Sequence, residues 1–375
     1  MSTTVQPIGL SAPYVDETEE EALLEVLRSG RLALGPMIDR FEEVLGERVG
    51  APYVAAVSSG TTGLHLCVRM AEISPGDEVV TTPLSFIASA NCIRYEGGTP
   101  VFVDVDERTL NLEPAAVEAA ITPRTKALML VDIFGYPLDI DAFQEVASRH
   151  GLAIIEDACE ALGATYKGRP VGSFGPPAVF AFYPNKQVTT GEGGAVAVHS
   201  EEEWELLKSL ANHGRIDRGE TFHHARLGYN YRLDELSAAL GVTQLAKLDE
   251  ILPLRDQVAA RYNELLADVE GVEALCPDDD LHRRSWFVYV VFVRPPADRS
   301  AVMERLAADG IASKPYLPAI HLQPAYRDPY GFSEGMFPVT EAAGEQGLAL
   351  PFHTGLSPTE QERVVESLTR AVAGT

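Results

Sequence analysis

The sequence predicts a three-layer α/β domain with a mostly parallel sheet, followed by a smaller C-terminal α+β domain. Two observations carry this reading. Short apolar runs alternate with helix-like segments through the first two-thirds of the 375-residue chain. Those runs are continuous rather than alternating, as expected of strands covered on both faces.

In chain order, Val54 to Val57 precedes a helical stretch from Thr62 to Glu72, and Glu78 to Thr82 follows the turn "SPGD". Further strand-like runs are "PVFVDVD" (100–106), "KALMLVDIFG" (126–135), "GLAIIEDA" (151–158), "AVFAFYP" (178–184) and "GAVAVHS" (194–200). Helical patterns at Glu113 to Ala120 and Asp141 to His150 lie between them. Beyond Leu233 the pattern turns helical, with Pro253 marking a break between two segments. A strand at "SWFVYVVFV" (285–293) and helices at 299–310 and 359–372 complete the chain. The domains are placed at 1–250 and 251–375, with the N-terminal segment able to pack on the smaller one.

Composition narrows the function classes. A net charge of −25 repels nucleic acid and anionic membranes. No apolar run reaches membrane-spanning length, and the first residues lack a basic-then-hydrophobic leader. The cysteines, Cys67, Cys92, Cys159 and Cys276, form no Cys-x-x-Cys pair. Reduced thiols in a cytoplasm are the expected state. The nine histidines show no zinc spacing, so no metal is expected, and His223-His224 reads as a solvated loop.

Three strand ends hold unusual groups. In "AAVSSGTTGLHL" (55–66) a strand ends in two serines and a glycine before a helix begins. Free N–H groups and the helix dipole there make an anion cup around Gly60 and Thr61. The same residues also describe an ordinary capped helix start. Asp157 follows the apolar run of "LAIIEDACEALGA" (152–164). It is either a buried carboxylate seeking a cationic partner or a helix N-cap. Lys186 lies 186 − 157 = 29 residues further on, in a loop closed by "GEGG". A lysine among so many small and apolar residues needs a partner. Together, an anion cup, a strand-end carboxylate and a sheltered lysine match pyridoxal phosphate.

The chain resembles the DegT/DnrJ/StrS family of sugar aminotransferases, which have the aspartate-aminotransferase fold. The resemblance runs almost end to end, through "IIEDACEALGATYKGRPVGSFG", "FAFYPNKQVTTGEGG", "GYNYRLDEL" and "KPYLPAIHLQPAY". It implies that Lys186 carries the cofactor as a Schiff base and that Asp157 pairs with the pyridine nitrogen. It also implies that Gly60 and Thr61 hold the phosphate, Phe86 stacks on the ring, and Glu160 lies near the phenolic oxygen. By the same resemblance Asn230, with Arg232, reaches the cofactor of a neighbouring subunit in a homodimer. Many members carry serine where this chain has Ala181, so one phosphate contact is either missing or supplied from elsewhere, by Ser59 or a water.

Lysine, rather than the histidine of dehydrating relatives, implies amino transfer with L-glutamate as donor. "TTGEGG" and "SKPYLPAIHLQPAY" (313–326) resemble members that aminate carbon four of nucleotide-linked 4-keto-6-deoxyhexoses, with thymidine diphosphate as the expected carrier. Tyr316 and His321 would then lie near the sugar, and Lys314 and Arg215 near its diphosphate. Each of these four also has a plain packing or surface reading. The alternatives are a keto-cyclitol aminotransferase and a cofactor-binding regulator without turnover.

Overall fold

The computed structural model describes residues 6–216 and 223–374. A seven-stranded sheet runs in the order Tyr53–Val57, Gly194–Val198, Ala178–Ala181, Ala153–Asp157, Thr125–Val131, Glu78–Thr81, Thr99–Phe102. All neighbours pair in parallel except Gly194–Val198, which is antiparallel to both strands beside it.

Strand alternation explains the three layers. Ala195, Ala197, Ala178 and Phe180 pack with Phe41 and Leu45 of helix Pro36–Val49 on one face. Val196, Val198 and Val179 pack with Leu64 and Val68 of helix Gly60–Met70 on the other. Burying one such large side chain contributes about 1.5–3 kcal/mol, so each strand is stabilised from both sides. Phe41 meets Phe182 edge to face at 5.3 Å, which fixes the first helix layer directly over the loop that carries Lys186.

The sequence expectation needs one correction here. Pro253 does not divide two helices. The division falls at Lys247, between helices Glu235–Ala246 and Leu248–Leu266, and Pro253 lies inside the second. Proline removes one backbone hydrogen bond there, but Ile251, Arg255, Val258 and Tyr262 anchor the same helix in the core. Position 250 therefore lies within a continuous helix.

Beyond it, a four-stranded antiparallel sheet runs in the order Val272–Ala274, Tyr289–Val293, Gly347–Leu350, Lys314–Pro315. Helices Arg299–Ala308 and Pro358–Ala373 bury Val302, Leu306, Val364 and Leu368 against it. The N-terminal segment joins this part of the chain, for Ile8 donates to the Gly310 carbonyl at 2.9 Å.

Two buried carboxylates lie near the middle of the large sheet. Asp132 follows strand Thr125–Val131, and Glu156 faces away from Asp157 on the next strand. Each has one oxygen without a hydrogen-bond partner. Burial pushes Glu156 up to about 7, and burial with the neighbouring Glu156 pushes Asp132 well above the usual carboxylate range.

Candidate active site

The cup forms where strand Tyr53–Val57 turns into helix Gly60–Met70. Ser59 caps the helix, its hydroxyl accepting from the Thr62 N–H at 3.2 Å. Gly60 and Thr61 occupy the first two helical positions, whose N–H groups have no intrahelical acceptor. A Cβ on Gly60 would stand 2.8 Å from both Ala181 Cβ and Cys159 Sγ, so only glycine fits. A Cβ on Gly194 would meet the Ser59 carbonyl carbon at 2.4 Å and the Gly60 nitrogen at 2.6 Å. That glycine lets the strand after Lys186 press against the cup.

Asp157 ends its strand and no helix follows it, so the N-cap alternative is excluded. Its carboxylate is buried and accepts from the Ser89 hydroxyl at 2.7 Å and the Cys159 N–H at 3.3 Å. Ser89 belongs to helix Ala88–Tyr95, which begins two residues after Phe86. Phe86 is 62 % exposed, unusual for so large an apolar residue.

Lys186 has only 12 % of its side chain exposed. Its ammonium lies 3.7 Å from Glu160 Oε1 and 4.0 Å from the centre of the Phe287 ring. Burial raises the Glu160 carboxyl, while the Lys186 charge and the Phe134 N–H pull it back; the net direction is up. Glu160 Oε2 accepts that N–H at 2.8 Å. The backbone is held as firmly, for Arg255 donates to the Lys186 carbonyl at 2.9 Å. Arg255 is buried, with no carboxylate partner among the described residues, and desolvation lowers it to about 10.

Tyr316 approaches from the smaller sheet, with its ring 5.8 Å from Phe134 and 6.1 Å from Phe287. Burial pushes its phenol up, with Glu160 adding to the shift and an Asn185 hydrogen bond opposing it. Lys314 is exposed on the strand just before it. His321 is a correction: it is completely buried, with Nε2 2.9 Å from Glu341 and its ring 4.7 Å from Phe337. It has no surface to offer a sugar and serves as a core histidine. Arg215 lines a cavity of about 1020 Å³ together with Asn212, Arg226 and Arg232. Lys186, Asp157 and Tyr316 are not among the residues lining that cavity.

Asn230 is exposed. Arg232 forms a bridge to Val57 and donates to the Asn212 side chain at 2.8 Å. The Ser58 N–H donates to the Tyr231 carbonyl at 2.8 Å, so this segment runs beside the cup of its own chain. Among the described residues no group of His, Cys, Asp and Glu side chains could hold a metal ion.

Several residues here carried no usable sequence signal. Ser89, Phe287, Arg255 and Gln187 read as ordinary helix, strand and loop positions. Gln187 donates to the Glu160 carbonyl at 2.7 Å and to the Ser285 hydroxyl at 2.9 Å. Only its place beside Lys186 hinted at a role.

The donor set fits pyridoxal phosphate: a dipole-lined cup, a buried carboxylate, a sheltered lysine and an exposed aromatic face. Fold and site together define a pyridoxal-phosphate-dependent aminotransferase. The chain belongs to the DegT/DnrJ/EryC1/StrS aminotransferase family, whose model matches residues 13–369. It is 38 % identical over 365 residues to GDP-perosamine synthase of Caulobacter vibrioides, covering 96 % of this chain and 97 % of that one. The structure of DesV from S. venezuelae superposes with a TM-score of 0.91 at 34 % identity, covering 98 % of each chain. The PLP form of Spr1654 from Streptococcus pneumoniae does so with a TM-score of 0.93 at 28 % identity, covering 98 % and 99 %.

Proposed function

We propose that this enzyme transfers an amino group from L-glutamate to carbon four of a nucleotide-linked 4-keto-6-deoxyhexose. The observation that carries the reading is the placement of the Tyr316 phenol, from the smaller sheet, beside Glu160 and the Lys186 loop. Pyridoxal phosphate, when bound, supplies the electron sink that lets a carbon–hydrogen bond beside nitrogen ionise.

The protein's own residues do the rest. Gly60 and Thr61 present free N–H groups to the phosphate, and the helix dipole adds to them. Asp157, fixed by Ser89, keeps the ring nitrogen protonated. Phe86 would stack on the ring. Lys186 would hold the cofactor and, with its amine free, would move the proton at the substrate carbon. Glu160 lies 3.7 Å from the Lys186 ammonium, and the Phe287 ring packs against it with its centre 4.0 Å away.

Tyr316 orients the sugar, and Lys314 and Arg215 are the candidate diphosphate contacts. Asn230, with Arg232, completes the site of a second subunit in a homodimer. Helix Leu248–Leu266 joins a cofactor-binding domain to a smaller one, and the enzyme works in the cytoplasm. A relative carrying GDP in its name makes guanosine diphosphate as reasonable a carrier as thymidine diphosphate.

The test is turnover with glutamate and a panel of thymidine- and guanosine-diphosphate 4-keto-6-deoxyhexoses, with the product solved by NMR. Nitrogen on carbon four supports the proposal. Amination only of carbon three, or only of a keto-cyclitol, overturns it.

A further inference from the structure

The Tyr229–Arg232 segment is held from behind by a buried clasp. Glu96, at the end of helix Ala88–Tyr95, accepts three donors. They are His65 Nε2 at 2.7 Å, the Tyr229 hydroxyl at 3.0 Å and Arg69 at 2.9 Å. His65 Nδ1 lies 3.1 Å from the Tyr231 hydroxyl. With Glu96 ionised, Nε2 must be the donor, and in the neutral ring Nδ1 then accepts the Tyr231 proton. The Tyr229 and Tyr231 rings stack at 4.8 Å with 9° between their planes, and the His65 ring packs against both.

The His65 and Glu96 side chains are sheltered, 6 % and 12 % exposed, while Arg69 reaches solvent at the clasp's edge. Burial alone would raise the Glu96 carboxyl, but the hydrogen bonds from His65, Tyr229 and Arg69 outweigh it and the net direction is down. Burial and Glu96 push the Tyr229 phenol up to about 12. Both shifts agree with a charged carboxylate gathering neutral and cationic donors.

The geometry has a consequence for Asn230. It sits between the two clasped tyrosines and is exposed, while they are partly buried. In extended chain, neighbours on either side of a residue point opposite to it, so fixing Tyr229 and Tyr231 inward turns Asn230 outward. The clasp also joins three elements of the site. His65 belongs to the helix that opens with Gly60 and Thr61. Glu96 ends the helix that carries Ser89. Tyr231 accepts from Ser58 at the edge of the cup.

We infer that His65 and Glu96 are positioning residues that hold Asn230 outward for the neighbouring subunit's cofactor phosphate. This rests on the reading that Asn230 completes that neighbouring site. A clasp that merely stabilised its own chain would act on its own chain's site. A positioning clasp acts across the dimer.

Heterodimers with one Lys186→Ala chain separate the two, because they keep one site able to form a Schiff base. Glu96→Gln is placed either on the Lys186→Ala chain, which lends Asn230 to the working site, or on the chain that keeps Lys186. The readout is the PLP concentration that restores half of the visible Schiff-base band after dialysis. Glu96→Gln on the Lys186→Ala chain should raise that concentration about tenfold, the order of one charge-assisted hydrogen bond, and on the other chain should change it little. Tyr231→Phe keeps the ring stack and should show a smaller shift with the same dependence on chain, which serves if Glu96→Gln folds poorly. Equal weakening in both placements, weakening only on the Lys186 chain, or no change in either overturns the inference. Asn230→Asp in the same two placements isolates the underlying reading. If it acts only on the Lys186 chain or not at all, the shared site itself fails. If it acts across the dimer and the clasp variants do not, only the clasp inference fails.

Discussion

Replacing Ala181 with serine should tighten binding of pyridoxal phosphate. Ala181 ends its strand opposite Gly194 and is partly exposed. Its Cβ lies 2.8 Å from where a Cβ on Gly60 would stand, so a hydroxyl there reaches the space in front of the cup. The Ser59 hydroxyl accepts from the Thr62 N–H and, as donor, makes only a long 3.3 Å contact to Thr62 Oγ1, so a serine at 181 would add a donor beside it. A hydrogen bond to a charged acceptor contributes about 1.5–3 kcal/mol, and fixing the new hydroxyl offsets about 1 kcal/mol of it. The net gain of about 0.5–2 kcal/mol corresponds to roughly 2–30-fold in affinity. The assay is a PLP titration of Lys186→Ala and of Lys186→Ala/Ala181→Ser, so that the Schiff base adds nothing to either. Equal or weaker binding by the double variant, with unchanged melting temperature, would refute the placement of residue 181 at the phosphate.

Other variants test neighbouring parts of the account. Asp157→Asn keeps shape but removes the charge beside the ring nitrogen, so turnover should fall by at least about 100-fold with a near-normal melting temperature; near-normal turnover would contradict the role. Gly194→Ala drives a methyl group into the Ser59–Gly60 peptide and should destabilise by about 3 kcal/mol or more while weakening PLP retention. Unchanged melting and retention would show that the strand and cup are not in close contact. Glu156→Gln tests the buried acid pair by pH. A carboxyl raised from 4.5 to about 7 stabilises the fold fully below pH 4.5 and loses that contribution as pH rises through 7. The variant should therefore gain stability on the wild type as pH rises from 4.5 to 8, read by denaturant unfolding at both. A constant difference would refute it.

Much of this was legible in sequence, for identifiable reasons. The continuous apolar runs marked the buried strands, and the serines before Gly60 marked the cup. The long motifs around Asp157 and Lys186 placed the carboxylate and the lysine. What escaped depends on side chains meeting across distant elements. Ser89 reaches Asp157 over 68 residues of sequence, and Arg255 reaches the Lys186 carbonyl over 69. No local pattern announces either contact. His321 misled for the same reason, since only packing against Phe337 and Glu341 shows it to be buried. Pro253 misled because tertiary anchoring overrode a strong local breaker.

The most direct test of the central claim is reduction of the purified holoenzyme with borohydride, followed by peptide mapping. The visible absorption band should be lost and a single phosphopyridoxyl label should appear on Lys186, absent from Lys186→Ala. A label on another lysine, such as Lys167, or no label despite bound cofactor, would contradict it.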